Sequence, residues 1–425
     1  MNRRVVITGL GVVAPNAVGV PAFLHAIQNG VSGLKFSPQY QQLHFNCQVS
    51  GHPDFQWEHL KNYLPEVTFH GLRGSGIGYA IKAAADAWID AGNNLDTEET
   101  RWETGCVFGN SVADTEAMKK VISRVDAHEA RKLGSRVVEQ LMNSGATAYL
   151  SGRLGLGNKI ITNSAACATG SQAVLMGYEY IKYGMARRML VGSSEHVDPY
   201  IFGAFDSMRI LARKFNDEPE KASRPMSASA GGFIPGSGAG ALVLEDLDFA
   251  LERNATIYAE ILGGANNSGG QRGGGSMTAH NPDGTVKCIT DAMSNSNIRA
   301  EDIDLISGHL TATAADRTEI QNWSLALGRT GSNFPFINSV KSMIGHCLSA
   351  AGSIEIVAVI LQIMHQFIHP NINLEDPNPE ILKIVSMDAL PTTRINKEIN
   401  IAAKANFGFG DVNTCVFFSK FNKNG

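Results

Sequence analysis

The chain has 425 residues, 44% of them hydrophobic and 18% charged, enough to bury a large core spread over two or three domains or one duplicated unit. Its 36 basic and 40 acidic residues leave a net charge of -4 with no long single-sign block, which argues against a nucleic-acid footprint. No run approaches the ~18 apolar residues of a membrane span, and the six cysteines form no C-x-x-C pair, so neither a zinc site nor a disulfide framework is expected and a reducing, cytoplasmic compartment fits best.

In chain order, Arg3-Arg4 and the apolar run after it superficially resemble a secretory or twin-arginine signal, but Thr8, Gly9 and Gly11 interrupt the run and it reads as a first buried strand from Arg4 to Ile7. The outline Gly9-x-Gly11-x-x-Ala14 lacks the acid that a dinucleotide turn places about 20 residues on; a tight strand-to-helix turn is the simpler reading. A helix is expected over Ile77 to Gly92, then strands over Thr104 to Phe108, Arg188 to Val191, Ala241 to Leu244, Ile257 to Leu262, Asp304 to Ser307 and Thr414 to Phe418. The glycine-rich stretch Gly263 to Gly275 has no Gly-Lys-Ser/Thr ending and reads as a mobile loop. Ala350 to Phe367 reads as a buried helix. This alternation favours an α/β protein, with a soft division near Leu251 to Ala255 that separates residues 1–255 from 256–425.

Chemistry concentrates in three segments. Cys167 stands in Thr162-Asn163-Ser164-Ala165-Ala166-Cys167-Ala168-Thr169-Gly170, before a helix over Ala168 to Tyr183. Unpaired N–H groups at that helix end favour a thiolate, so Cys167 is a candidate nucleophile; a small cysteine in a packed turn fits the same local sequence. His309 follows the strand Asp304 to Ser307 on an expected strand-end loop, and His346 lies in a glycine-hinged turn from Asn338 to Gly352 that also contains Lys341. Alone, each histidine reads equally as a structural residue, and Lys341 and Glu355 as an ordinary ion pair.

These segments, together with Val5 to Gly11, Ser223-Arg224-Pro225, Pro235 to Gly240 and Asn406-Phe407-Gly408-Phe409-Gly410, resemble the β-ketoacyl-acyl carrier protein synthases of the thiolase superfamily, most closely the type II elongating branch. The resemblance implies a thiolase-like five-layered α/β/α/β/α fold of two related halves. It implies decarboxylative condensation of an acyl group on Cys167 with malonyl-ACP, in fatty acid or polyene/polyketide-type biosynthesis. Thiolate attack and two N–H donors at a growing oxyanion suit that chemistry. Cys167 and Phe409 would supply the oxyanion-hole amides, Phe409 also acting as a gate, while His309 and His346 would stabilise the malonyl-derived enolate. Lys341 and Glu355 would support the histidines, helped by Asp316 and Glu319. Thr311 and Thr313 would hold the phosphopantetheine arm, and Val112, Phe205 and Phe407 would contact the acyl group.

The resemblance further implies acyl carrier protein as partner, a homodimer or a heterodimer with a related subunit, and no metal or resident cofactor, since phosphopantetheine arrives on the carrier. Lys119, Lys120, Arg124, Arg131 and Lys132 could meet an acidic carrier, although a solvated helix face explains them equally. Departures from the family surround the site: Leu310 where glycine is usual, one residue fewer before Asp316 and Glu319, Ser227 to Ala230 replacing a charged segment, and Asp411-Val412-Asn413 near the end. A noncatalytic or loading partner of another ketosynthase subunit would share the fold, but the noncatalytic chain-length kind typically lacks the nucleophile, and Cys167 is present. A degradative thiolase needs a C-terminal Cys-x-Gly, which the surroundings of Cys415 do not provide.

Overall fold

Ten consecutive buried residues, Val5–Ala14, form strand β1. The computed structural model describes residues 3–112, 114–270 and 276–422. Gly9 and Gly11 lie inside β1 rather than in a turn, because helix α1 (Ser75–Asp90) crosses directly over them. A Cβ on Gly9 would stand 2.1 Å from the Ala87 carbonyl oxygen, and one on Gly11 1.9 Å from that of Ala83. The glycines serve close helix-on-strand packing, a pressure that their spacing does not reveal.

The main sheet contains β1, β2 (Thr104–Gly109), β3 (Ile160–Ile161), β4 (Arg188–Glu195) and β5 (Gly238–Asp246), followed by β6 (Ala259–Ser268), β7 (Leu305–Ser307), β8 (Phe336–Asn338), β9 (Ile401–Gly408) and β10 (Val412–Ser419). Their spatial order is β8-β7-β9-β10-β6-β1-β5-β4-β2-β3, with the short strand Ala17–Val18 paired to β1. Each set of five therefore repeats one order, third-second-fourth-fifth-first. In each set the fifth strand is antiparallel to its neighbours and the remaining pairs are parallel. The sets join where Val5, Val6 and Ile7 pair with Ile261, Glu260 and Ala259.

Two helices fill the space between the sets. These are α2 (Thr169–Lys182) and α6 (Ala351–His365), which touch each other and strands of both sets. Outside them, α1 covers β1, β5 and β4, while α4 (Pro282–Ser296) covers β6 and β10 and packs on α5 (Ala315–Leu327). A further helix, α3 (Pro199–Ser207), lies beside the mouth of the site. The result is the five-layered thiolase-like arrangement of two related halves. Against the sequence expectation, the stretch Leu348–His365 is apolar and long enough to cross a membrane, yet 89% of it is buried inside the protein, as a central layer must be.

Several boundaries differ from the sequence expectation. Gly263 to Ser268 belong to β6 rather than to a loop, and residues 271–275 of that stretch lie outside the described residues. β8 and β9 were not expected as strands: β8 has three residues, and β9 carries Lys404 and Asn406 where period-2 reasoning wants apolar side chains.

The crossing of α2 and α6 is equally close at their N-termini. A Cβ on Gly170 would lie 2.4 Å from the Ser353 nitrogen, and one on Gly352 2.5 Å from the Ser171 nitrogen. Overpacking of this kind costs about 1–3 kcal/mol. Gly11→Ala is accordingly expected to lower unfolding stability by about 2 kcal/mol in a urea titration, and an unchanged midpoint and slope would contradict the close β1–α1 approach.

Candidate active site

The turn after β3 presents Cys167 ahead of α2. Thr169 fastens it, its Oγ1 accepting from the Ala165 N–H at 2.8 Å and donating to the Ala166 carbonyl at 2.7 Å. Ala166 has φ +47°, and near it in the site Ala312 (+62°) and Leu348 (+47°) share the left-handed region. Such conformations cost about 1–3 kcal/mol each and persist where surrounding structure imposes them, often at functional sites. Cys167 keeps partial exposure to a cavity of about 480 Å³.

Two donors reach the Cys167 sulfur. The Phe409 backbone N–H is one. It can approach because Gly408 has no side chain; a Cβ there would lie 2.9 Å from the Ala165 carbonyl oxygen and 3.2 Å from the Cys167 nitrogen. His346 is the other, with Nε2 3.1 Å from Sγ. The Leu348 N–H donates to His346 Nδ1 at 3.3 Å, which leaves the ring proton on Nε2. His309 is set alike: Asn406 Nδ2 donates to its Nδ1 at 3.2 Å, while Ser171 Oγ donates to Asn406 Oδ1 at 2.6 Å and fixes the amide. The two imidazoles meet edge to face with centroids 5.2 Å apart, and both residues line the cavity.

Burial, reinforced by the Lys341 charge, holds His346 at about 3 and His309 well below its ordinary value, so both are neutral. Burial also pushes the Cys167 thiol up to about 11, against the pull of Lys341 and the Phe409 N–H. The resting site is therefore a neutral thiol beside two neutral N–H donors. The thiolate expected from the helix end does not prevail at rest, because loss of water outweighs the field of one helix turn.

Behind the histidines lies a buried ion cluster. The Lys341 ammonium pairs with Glu355 Oε1, and Lys404 Nζ lies 2.6 Å from Glu355 Oε2. Asn406 Nδ2 also donates to Oε2 at 3.1 Å, which connects the cluster to His309. Burial opposes the Glu355 carboxylate, but Lys341 and Lys404 outweigh it and hold it at about 2. Glu319 accepts from the His309 and Leu310 N–H groups at 2.6 and 2.7 Å, and Asp316 from Thr311, Ala312 and Met226 at 2.8, 3.1 and 2.8 Å. These acids shape the loop despite the shortened interval. Burial raises them, to about 7 and about 6.

Val112, Phe205, Thr311, Thr313, Phe407 and Phe409 all line the cavity with Cys167, His309 and His346. Leu310 does not: its side chain turns into the core beside Ile306 and Ile320, so the residue that replaces the family glycine leaves the cavity wall untouched. In the basic cluster, Arg124 and Lys132 pair with Glu129, and Lys119 lies over the Tyr200 ring. Sequence reasoning passed over Lys404, Asn406 as a histidine partner, and His280, which lines the cavity 3.9 Å from Asp411. A single charge inside Ile401-Ala-Ala-Lys-Ala was the available signal for Lys404. By distance alone, the ligand atoms of Cys167, His309 and His346, all within 4.8 Å of one another, could hold a cation, but Lys341 and Lys404 make the surroundings positive.

Family models for the beta-ketoacyl synthase N-terminal and C-terminal domains match residues 2–250 and 258–375. The chain belongs to the beta-ketoacyl synthase family. The 3-oxoacyl-[acyl-carrier-protein] synthase 2 of Vibrio harveyi is 31% identical over 99% of both chains. Among solved structures, a ketosynthase described as a type II PKS acyl-carrier protein in complex with its ketosynthase bound to the hexaketide superposes with TM-score 0.86 at 29% identity, covering 99% of this chain and 100% of that one. The ishigamide ketosynthase/chain length factor gives 0.88 at 26% identity with the same coverage.

The raised thiol gives this synthase a measurable signature. Alkylation of Cys167 by iodoacetamide, followed by peptide mass spectrometry, is expected to keep accelerating well above pH 9. A plateau near the ordinary thiol value of about 8.5 is the contrary result.

Proposed function

We propose that the synthase joins an acyl group on Cys167 to a malonyl unit delivered by acyl carrier protein, releasing CO2 and a β-ketoacyl-ACP. The carrying observation is the convergence of one thiol and two imidazole N–H donors on one apolar cavity. In the first half-reaction, Cys167 sulfur bonds to the acyl carbon and the bond to the carrier sulfur breaks, the thiol proton ending on the carrier thiol. The Cys167 and Phe409 amides face the transient oxyanion, the arrangement such an intermediate needs.

In the second half-reaction, the malonyl C–C bond breaks and CO2 leaves. The electron pair passes into an enolate held by Nε2–H of His309 and His346, and its carbon attacks the acyl group on Cys167. Cys167 then departs as a thiolate beside the His346 donor and takes a proton from solvent to restore the resting thiol. The tautomers imposed by Leu348 and Asn406 support donation rather than proton abstraction. Thr311 and Thr313 offer hydroxyls to the phosphopantetheine arm at the mouth, and Phe205, Phe233, Ile201 and Ile210 offer an apolar surface to an acyl chain of fatty acid or polyene/polyketide type. No resident metal or redox cofactor enters these steps.

A homodimer in the cytoplasm completes the reading, with a related chain-length subunit as the alternative partner. The helix Thr115–Asp126 leaves Met118, Ile122 and Val125 exposed at four- and three-residue spacing near exposed Val112 and Met142, an apolar face that supports association. Six unpaired cysteines support a reducing compartment.

Incubation with acyl-ACP and malonyl-ACP, followed by mass spectrometry, is expected to show acyl-Cys167 and then extended product. Cys167→Ala is expected to abolish both. His309→Ala and His346→Ala should retain acylation while condensation falls at least roughly 100-fold. Absence of acyl-Cys167 with short, long and unsaturated donors would overturn the reading, as would normal extension by both histidine variants.

A further inference from the structure

Lys404 is fully buried in β9 between two alanines, and no step described so far uses it. Its ammonium has a complete set of partners. It pairs with Glu355 Oε2 at 2.6 Å and donates to the Ser307 and Gly308 carbonyls at 3.2 and 3.0 Å, the two residues immediately before His309. Two positions further along β9, and so on the same face of the strand, Asn406 bridges the same Glu355 oxygen to His309 Nδ1. Lys404 thus grips the backbone that carries His309, and it shares the carboxylate that orients the amide behind that ring.

We propose that Lys404 is a positioning residue for the decarboxylation and condensation half-reaction, clamping the His309 strand end to Glu355 and adding a second positive charge behind the two enolate donors. This rests on the roles given above to Cys167, His309 and His346. Glu355 offers one negative charge to two lysines, so the ionised trio carries a net positive charge at the rear of the site. That charge reaches the reacting groups: Lys404 is among the causes that depress both His309 and His346. An enolate, which is negative, gains from such a potential, whereas a neutral acyl thioester gains less, so the effect belongs to the second half-reaction.

The position is poised. Burial lowers Lys404 to about 8, with Glu355 pulling it back up and Lys341 pushing it further down. The charged or titratable groups that face it are Glu355 and Lys341, Glu319 from α5, Cys415 from the neighbouring strand β10, and the two histidines. Protonated Lys404 is the active form in this account, so condensation is lost as pH rises through about 8.

The test separates the half-reactions in single turnovers. Wild-type protein, Lys404→Met and Lys404→Gln are first loaded with acyl-ACP, and acyl-Cys167 is quantified. Each acyl-enzyme is then mixed with malonyl-ACP between pH 6.5 and 9.5, and CO2 and extended product are followed. The expected result is loading within about threefold of wild type for both variants, with condensation falling roughly 100-fold in Lys404→Met, the scale of a misplaced catalytic group. Lys404→Gln keeps an N–H donor without the charge and is expected to fall between the two. The wild-type alkaline limb near pH 8 should vanish in both variants.

Equal losses in loading and condensation would assign Lys404 a merely structural role and overturn the proposal. So would condensation that stays flat in the wild type across that range, a measurement that stands even where Lys404→Met fails to fold. Failure of the wild type to form acyl-Cys167 or product at any pH would instead reject the functional reading on which the proposal rests.

Discussion

Everything in this site depends on two helix ends that touch without side chains between them. Gly170 and Gly352 bring the starts of α2 and α6 to backbone contact, with the Ser171 and Ser353 nitrogens where Cβ atoms would otherwise stand. Each helix follows the turn that bears a reactive group, Cys167 before one and His346 before the other, so the crossing sets their separation. The apolar face of α6 locks it, packed against strands that belong to opposite halves of the chain. A scaffold so closely packed cannot yield by fractions of an ångström, and the acyl-transfer geometry inherits that stiffness.

Charge is the second constraint. Glu355, Lys341 and Lys404 are buried together, where removal of one member of such a set costs about 3–5 kcal/mol and replacement by apolar residues often costs nothing. Stability therefore does not explain their presence. What the cluster supplies is an oriented Asn406, a pinned His309 strand end and a positive rear wall behind two neutral imidazoles. Burial keeps those imidazoles uncharged, and hydrogen bonds to their Nδ1 atoms aim the remaining protons into the cavity. The site thus joins neutral donors at the cavity to ions one layer deeper, the arrangement that the proposed enolate stabilisation calls for.

Much of this was legible before any coordinates. The apolar runs that became β2, β4, β5 and β6 carried strand patterns, and the long apolar run of α6 could only be a core helix. Cys167, His309, His346 and Lys341 each sit in a glycine-punctuated turn whose residues resemble a known family. The glycines of β1 misled because a strand crossed tightly by a helix and a chain turning on itself call for the same residue. Leu310, a departure from the family pattern directly after His309, could not be placed from its position alone, because a loop residue can face the cavity or the core, and this one is buried in the core.

The amino-acid sequence by itself determined the α/β class, the likeness to the condensing enzymes and the choice of Cys167, His309, His346 and Lys341 as candidates, because residue type and local spacing suffice for those. Only the tertiary structure decided that Lys404 and Asn406 stand behind His309, that both ring protons sit on Nε2, and that the Cys167 thiol rests neutral. The Leu348 N–H that sets His346 is local, but the orientation of His309 depends on groups far apart in the chain, Asn406 with Glu355 51 residues away and with Ser171 235 residues away, and ionisation depends on how much water is excluded around them. Local pattern carries no record of either.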